Sequence, residues 1–272
     1  MGVKYPFPPD FKTIYEKADL LKVGREDSTV SDIQIERNKI LTKKLRAFYF
    51  YTYLSGTRIS EALDLKYTDI QFNTVQNVNL CFATVYTRKN RIKMIRTIPI
   101  SYMNEYEQKM FAEFADVYNN YSIDYVFKDL IVEDERNRMG YDKNLREIHY
   151  IKKDGSDSTK EFKDPYASTK TKIERWFSRI TFETPVIDTV KKTINVERYK
   201  LHPHLLRHFR ASHLYGIYRV KREDMIEIFG WSDDRPLQIY AMMYPNELAK
   251  SYVNSIKEAM ETNIKIEEGT NK

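Results

Sequence analysis

The segment from Ser31 to Gly56 constrains the fold most. Ser31-Asp32-Ile33-Gln34 has the spacing of a capping box, in which the first and fourth side chains satisfy each other's backbone donors. Ile40, Leu41, Leu45, Phe48 and Tyr51 then recur near the 3.6-residue helical period. Ser55-Gly56 supplies a stop. One long helix is therefore expected, with an apolar stripe that other elements must cover. The chain has 272 residues, 42% of them hydrophobic, enough to build that cover as one large domain or two small ones.

Residues 1–30 hold Pro6, Pro8, Pro9 and Gly24 and few apolar runs, which suggests an arm or linker with one short helix from Asp10 to Leu21. After the long helix, a second is expected from about Arg58 to Leu65, with Ile59, Ala62 and Leu63 turned inward. Val78 to Tyr86 mixes β-branched and aromatic residues, Lys89-Asn90-Arg91 is a polar turn, and Met94 to Ile100 alternates, so a small β-hairpin is expected there. Tyr102 to Tyr118 has a helical stripe of Met110, Phe111, Phe114 and Val117. Residues 119–170 are less regular, and 152–160 reads as a polar, mobile loop. A short helix at Ile173–Ile180, a second hairpin within 182–200, and helices at His204–Tyr218 and Arg222–Phe229 follow. Gly230 closes the last of these. A further helix should carry Tyr240, and Leu248, Tyr252, Ile256 and Met260 stand four apart in the tail. The class is mainly α with small β-hairpins, an α+β chain. The expected division is an arm at 1–30, a main domain at 31–245 and a C-terminal helix and tail at 246–272.

Several classes are excluded early. No apolar window is long enough to span a bilayer. The opening residues Met1–Pro6 lack the apolar run of a signal peptide. The single cysteine, Cys81, rules out an internal disulfide and suits a reducing cytoplasm. A net charge of +6 permits an anionic partner without naming one. With 21 tyrosines in the chain, no single tyrosine stands out as a nucleophile by its type.

Arg58, His204, Arg207 and Tyr240 carry the chemistry. Cleaving a phosphodiester by in-line attack needs a nucleophile, charge stabilisation on the non-bridging oxygens, an acid for the leaving oxygen, and positioning. Arginine suits the second task, since its planar fork stays protonated and donates two parallel hydrogen bonds. Arg58 follows Gly56-Thr57 at an expected helix start, where free N–H groups would also favour an anion. His204 and Arg207 are three apart and share a helical face, with Pro203 fitting the first turn. His202 and His208 crowd the same segment, but no Cys or Glu stands at ligand spacing, so a metal reading is set aside. Lys89 at the hairpin tip could protonate a departing 5′ oxygen, and Lys93 is an alternative on the same hairpin. A phenol is a poor nucleophile at neutral pH, and two arginines and a histidine would favour its anion. Spacing alone does not choose Tyr240 over Tyr244.

Gly56-x-Arg58-x-x-Glu61, Lys89, His204-x-x-Arg207-His208, Gly230-Trp231 and Tyr240, in that order, resemble the pattern of the tyrosine recombinase (phage integrase) family. Tyr240 falls ten residues after Gly230 and has the family's spacing, which Tyr244 does not. The resemblance spans about residues 31–260. It implies the tyrosine recombinase catalytic-domain fold and a site-specific recombinase or integrase acting on double-stranded DNA, without ATP, metal or other cofactor. Arg58 and Arg207 would bind the scissile phosphate, His204 would assist proton transfer, and Lys89 would be the general acid. Trp231 would pack and donate one N–H where some members carry histidine. Tyr240 would form a 3′-phosphotyrosyl intermediate. Glu61 and His208 would support the site, Glu61 against a catalytic histidine. A homo-oligomer on DNA, dimer to tetramer, and a cytoplasmic or nucleoid-associated location (host-cell cytoplasm for a viral or plasmid-borne chain) follow from the family. The tail helix either docks on a neighbouring protomer or folds back on its own domain. Members commonly carry a helical core-binding domain before the catalytic one, so the chain reads as a catalytic-domain fragment or a reduced member. Two rival activities share these residues: type IB topoisomerase-like relaxation, and a non-cleaving DNA-binding regulator derived from a recombinase.

Overall fold

A computed structural model describes residues 4–24, 31–75, 78–89, 92–121, 124–136, 147–151, 155–161, 166–188, 193–233 and 235–238. The chain divides into two compact units. The larger comprises Asp10–Phe182 and Tyr199–Arg207, and the smaller comprises Met1–Pro9, Glu183–Arg198 and His208–Lys272. Helices outweigh strands, and the named strand pairings are antiparallel, in keeping with the α+β class.

The larger unit is organised on α2 (Asp32–Ser55), the long helix the caps foretell. Ser31 Oγ accepts from the Gln34 N–H at 3.4 Å. Gly56, left-handed at φ 62°, closes the other end by donating to the Thr52 and Tyr53 carbonyls. The second half of α2 is mostly apolar and aromatic, and Phe48, Tyr49, Phe50, Tyr51 and Tyr53 are fully buried. A helix that lacks a polar face must be covered on every side. Cover comes from α1 (Phe11–Lys17) and α4 (Glu105–Tyr121), among other segments. Tyr49 donates to the Ile14 carbonyl at 2.9 Å, and Tyr51 packs on Phe114 with centroids 5.1 Å apart. The stripe expected on α4 is the buried one, since Met110, Phe111, Phe114 and Val117 all lie inside. Residues 10–24, read from sequence as part of an arm, are built into this unit: Asp10 caps α1, and Ile14 and Ala18 are fully buried.

A short helix, α3 (Ile59–Leu63), leads into a three-stranded sheet of β2 (Ile70–Val75), β3 (Val78–Lys89) and β4 (Ile92–Ile100) in that order. The expected hairpin is therefore two strands of three. The strands run further than expected, with Arg88 opposite Lys93 and Lys89 opposite Ile92. Lys89 is thus the last residue of a strand, and only 90–91 of the expected turn lie beyond it, outside the described residues. Cys81, Ala83 and Val85 of β3 and Arg96, Ile98 and Ile100 of β4 face inward and are buried.

Within 119–170 the described residues include several regular elements. Among them are α5 (Glu133–Arg136), a strand pair β5 (Glu147–Ile151) and β6 (Asp157–Glu161), and the start of α6 (Ala167–Phe177). Of the expected mobile loop, residues 157–160 lie in strand β6, and 152–154 lie outside the described residues. Glu135 caps α6 by accepting from the Ser168 and Thr169 N–H groups at 2.7 and 2.9 Å.

The second hairpin is β7 (Thr181–Asp188) and β8 (Thr193–Lys200). A third strand from the far N-terminus, β1 (Lys4–Pro6), pairs with β7, Pro6 opposite Val186. Pro6 stands in an edge strand, where a missing N–H costs no ladder bond. Helix α7 (Pro203–Ser212) runs into a π-helical turn at His213–Ile217, and α8 (Arg222–Phe229) follows. Within the smaller unit Ala211, Leu214, Met225, Phe229 and Leu237 form the core cluster. Gly230, at φ 56°, ends α8 with the paired bonds of a Schellman motif, its own N–H to Glu227 and the Trp231 N–H to Ile226. Residues 235–238 are helical, whereas Tyr240 and the tail helix expected at 246–260 lie outside the described residues. Among the described residues no helix is long and apolar enough to cross a membrane.

Candidate active site

The left-handed Gly56 turns the chain out of α2 and sets Arg58, in extended conformation, just ahead of α3. The anion cradle expected from free N–H groups at this helix start is not what forms. The helix has five residues, and the Arg58 N–H donates to Glu61 Oε2 at 2.8 Å. The anion-binding capacity here lies in the Arg58 side chain, which is 30% exposed. Its Nη1 donates to Glu61 Oε1 at 2.9 Å.

Glu61 is buried and holds two guanidinium groups. Besides Arg58 it takes Arg96 of β4, whose Nη1 and Nη2 donate to Oε1 and Oε2 at 3.0 and 2.8 Å. A fork of two parallel charge-assisted bonds is the strongest geometry open to this pair. Glu61 thus holds the side chain and backbone of Arg58 as well as the Arg96 fork. Arg96 is a residue the sequence reading passed over. Its signal was present: it shares the inward phase of β4 with Ile98 and Ile100, where a charge requires a partner.

Arg207 is 4% exposed, and its Nη1 donates to the Gly56 carbonyl at 2.6 Å, a bond between residues 151 apart in sequence. One turn therefore carries both Arg58 and the oxygen that holds Arg207. His204 lies one helical turn before Arg207, with its ring open to solvent. Its pKa is lowered from 6.5 first by burial, then by the charges of Arg207 and Arg58 and by repulsion from His202 whenever that ring is protonated. Both effects favour the neutral form of His204. His202 stands parallel to it, centroids 6.5 Å apart, and uses Nδ1 to accept from the Leu205 N–H at 3.3 Å. That bond caps α7 and requires the neutral ring. Burial, opposed by Glu174, lowers the His202 pKa as well.

Arg58, Glu61, His204 and Arg207 thus converge in the larger unit. Two guanidinium groups, Arg58 and Arg96, face the Glu61 carboxylate, and Arg207 is held by the Gly56 carbonyl. Lys89 is placed only by its backbone at the end of β3, and Lys93 by its backbone on β4. The other expected residues belong to the smaller unit. His208 Nε2 donates to the Pro6 carbonyl at 3.0 Å, which ties α7 to β1. Trp231 is half-buried and stacks on Phe229, centroids 4.7 Å apart and planes 18° off parallel.

No family model matches the sequence, and no curated protein matches it. Solved structures do resemble it. One is the XerH site-specific recombinase bound to palindromic difH substrate in a post-cleavage complex, at 16% identity and TM-score 0.46, covering 91% of this chain. Another is the Tn1549 transposon integrase (residues 82–397) in complex with circular intermediate DNA, at 14% identity and TM-score 0.35, covering 81% of this chain. This chain spans 52% of the first and 63% of the second.

Proposed function

We propose that this chain breaks and rejoins duplex DNA by the tyrosine-recombinase reaction. Arg58 and Arg207 bind the non-bridging oxygens of one phosphodiester. The Tyr240 phenolic oxygen attacks phosphorus, the bond to the 5′ oxygen breaks, and a 3′-phosphotyrosyl ester forms. Lys89 delivers the proton that the departing 5′ oxygen needs. His204, neutral, accepts or donates beside the phosphate as charge builds up. Trp231 packs and supplies an indole N–H, and His208 and Glu61 hold their neighbours in place. Reversal by a second 5′ hydroxyl reseals the strand, so the ester conserves the bond energy and no nucleotide cofactor is consumed. The outcome is site-specific recombination or integration, by a dimer to tetramer on DNA, in the cytoplasm.

The observation that supports this reading is the Arg207–Gly56 bond. It brings a second guanidinium to the turn that carries Arg58 and places both within the field felt by His204. An anion bound by both guanidinium groups would be stabilised by two fixed positive charges.

Incubation with nicked suicide duplexes drawn from a half-site library, followed by denaturing electrophoresis, tests the reaction and its sequence preference together. Wild type should give a covalent protein–DNA adduct. Tyr240→Phe should bind duplex normally and give none, whereas Tyr244→Phe should still give it. An undiminished adduct with Tyr240→Phe would refute the nucleophile assignment. Binding that ignores salt would count against a backbone-tracking surface, since phosphate contacts release counterions.

A further inference from the structure

We propose that Arg96 is a positioning residue that keeps the Arg58 guanidinium open to a phosphate. The proposal rests on the reading of Arg58 as a phosphate ligand. Glu61 offers two oxygens, and Arg96 takes both with its fork, at 3.0 and 2.8 Å. Arg58 reaches the same carboxylate through its backbone N–H and one side-chain nitrogen, Nη1, at 2.8 and 2.9 Å. Among the described residues Arg58 Nε and Nη2 make no hydrogen bond, and its side chain is 30% exposed against 7% for Arg96.

The two arginines therefore divide the work by depth. Arg96 lies opposite Val85 in the sheet register, in the same inward phase as Ile98 and Ile100. It cannot present its charge to DNA from there. Its charge is committed to Glu61, and that commitment decides what Arg58 has to do. With Arg96 in place, Glu61 is neutralised from behind, and Arg58 contributes one edge while its remaining donors face solvent. Without Arg96, the buried carboxylate would still hold Arg58. The favoured geometry would then be the two-bond fork, which turns a second Arg58 nitrogen inward. Arg58 and Glu61 alone would also sum to zero charge, where the triad carries one positive charge. Stability alone does not require such a buried ionic cluster, because well-packed apolar replacements of buried ion pairs are often neutral or stabilising.

The test compares wild type, Arg96→Lys, Arg96→Met and Arg96→Met combined with Glu61→Gln. Single-turnover adduct formation on a nicked suicide duplex is read beside duplex binding and thermal melting. Arg96→Met should slow cleavage by roughly 100-fold, the loss typical of one misplaced donor at a developing charge. Duplex affinity should change by less than about 3-fold, because many backbone contacts share it. Arg96→Lys, which restores the charge, should recover most of the rate. The double variant should cleave about 10-fold faster than Arg96→Met, since no carboxylate is left to capture Arg58. Cleavage by Arg96→Met at the wild-type rate would overturn the proposal. So would a double variant as slow as the single, which is the pattern of a merely structural loss. Should Arg96→Met not hold its fold, Arg96→Gln with and without Glu61→Gln makes the same comparison. A wild type that binds duplex and forms no adduct on any library member would remove the phosphate reading and this proposal with it. An active wild type beside an unaffected Arg96→Met removes the proposal alone.

Discussion

Gly56→Ala separates the stability of the fold from the geometry of the site. Gly56 has φ 62° and ψ 21°, the left-handed region. An alanine there costs about 1–2 kcal/mol, by the crowding of Cβ against the carbonyl oxygen. Part of that is returned, about 0.4–1 kcal/mol, because alanine leaves the unfolded chain fewer conformations to lose. The net is about 1 kcal/mol, against a folding free energy of roughly 5–15 kcal/mol for a typical protein. For a chain of this size Tm should fall by roughly 2–4 °C, and nearly every molecule stays folded at 25 °C. The site should suffer far more. The Gly56 carbonyl is the oxygen that Arg207 Nη1 holds at 2.6 Å, and Arg58 stands two residues beyond it. Relieving the strain means rotating this peptide, which moves both guanidinium groups relative to one another. A shift of about 1 Å in a positioning group can cost about 100-fold in rate. Thermal unfolding followed by circular dichroism gives the first quantity, and single-turnover cleavage of a nicked duplex gives the second. The expected result is a small drop in Tm beside a rate loss of about two orders of magnitude. A rate that merely tracks the folded fraction would refute the claim that this turn sets the distance between the arginines.

Other consequences are open to measurement. His202 and His204 both have pKa values below 6.5, burial being the first cause in each, so the unfolded chain takes up protons first as pH falls. Their contribution to stability is therefore present above pH 6.5 and is lost as pH drops below it. Urea midpoints between pH 5 and 7.5 should show this loss, and a His202→Asn, His204→Asn pair should flatten it. A cleavage rate that falls on the acid side with an apparent pKa below 6.5, and loses that limb in His204→Asn, would place the neutral ring in the reaction. Phe114→Ala removes a fully buried ring that touches Tyr51, Phe72 and Phe127. It should cost about 3–5 kcal/mol in urea unfolding, and a loss under about 1 kcal/mol would mean that the larger unit closes over the gap. Lys89→Ala should slow cleavage of an ordinary duplex and recover on one whose 5′ bridging oxygen is sulfur, because a thiolate leaves without a proton. If Lys93→Ala shows that recovery instead, the acid sits on β4.

Most of the fold was legible where local rules govern. The caps of α2, the stripe of α4 and the glycine stop of α8 are local, and each stands where the sequence puts it. What escaped was decided by partners far along the chain. Strand β6, Asp157–Glu161, has no apolar residue to alternate, and it pairs antiparallel with β5. Strand β1 is three residues with a proline, and its partner is β7, at residues 186–188. Strand β2 does alternate, but its Phe72 remains 40% exposed and rests on Phe111 and Tyr118 of α4. An edge that a helix covers leaves only a weak period-two signal.

The site divides along the same line, and the division suggests how to find the residues that spacing does not show. Arg58, His204 and Arg207 could be read because their chemistry sets local spellings. Arg96 could not, because its meaning depends on Glu61, 35 residues away on α3. Yet a charge in the inward phase of an apolar strand is itself a signal: burial without a partner is too costly to persist. The same reasoning sorts the buried carboxylates. Glu107 accepts from the Met103 N–H, Glu135 from the Ser168 and Thr169 N–H groups, and Asp64 from the Tyr166 hydroxyl. Each of those bonds completes a cap or a packing contact. Glu61 takes two guanidinium groups, and one of them reaches solvent beside Arg207 and His204. A carboxylate that binds one cation from below and another at the surface can hold the outer one in place without neutralising it, and an inward-phase arginine on a strand next to a Gly-x-Arg-x-x-Glu turn is the sequence mark of that arrangement.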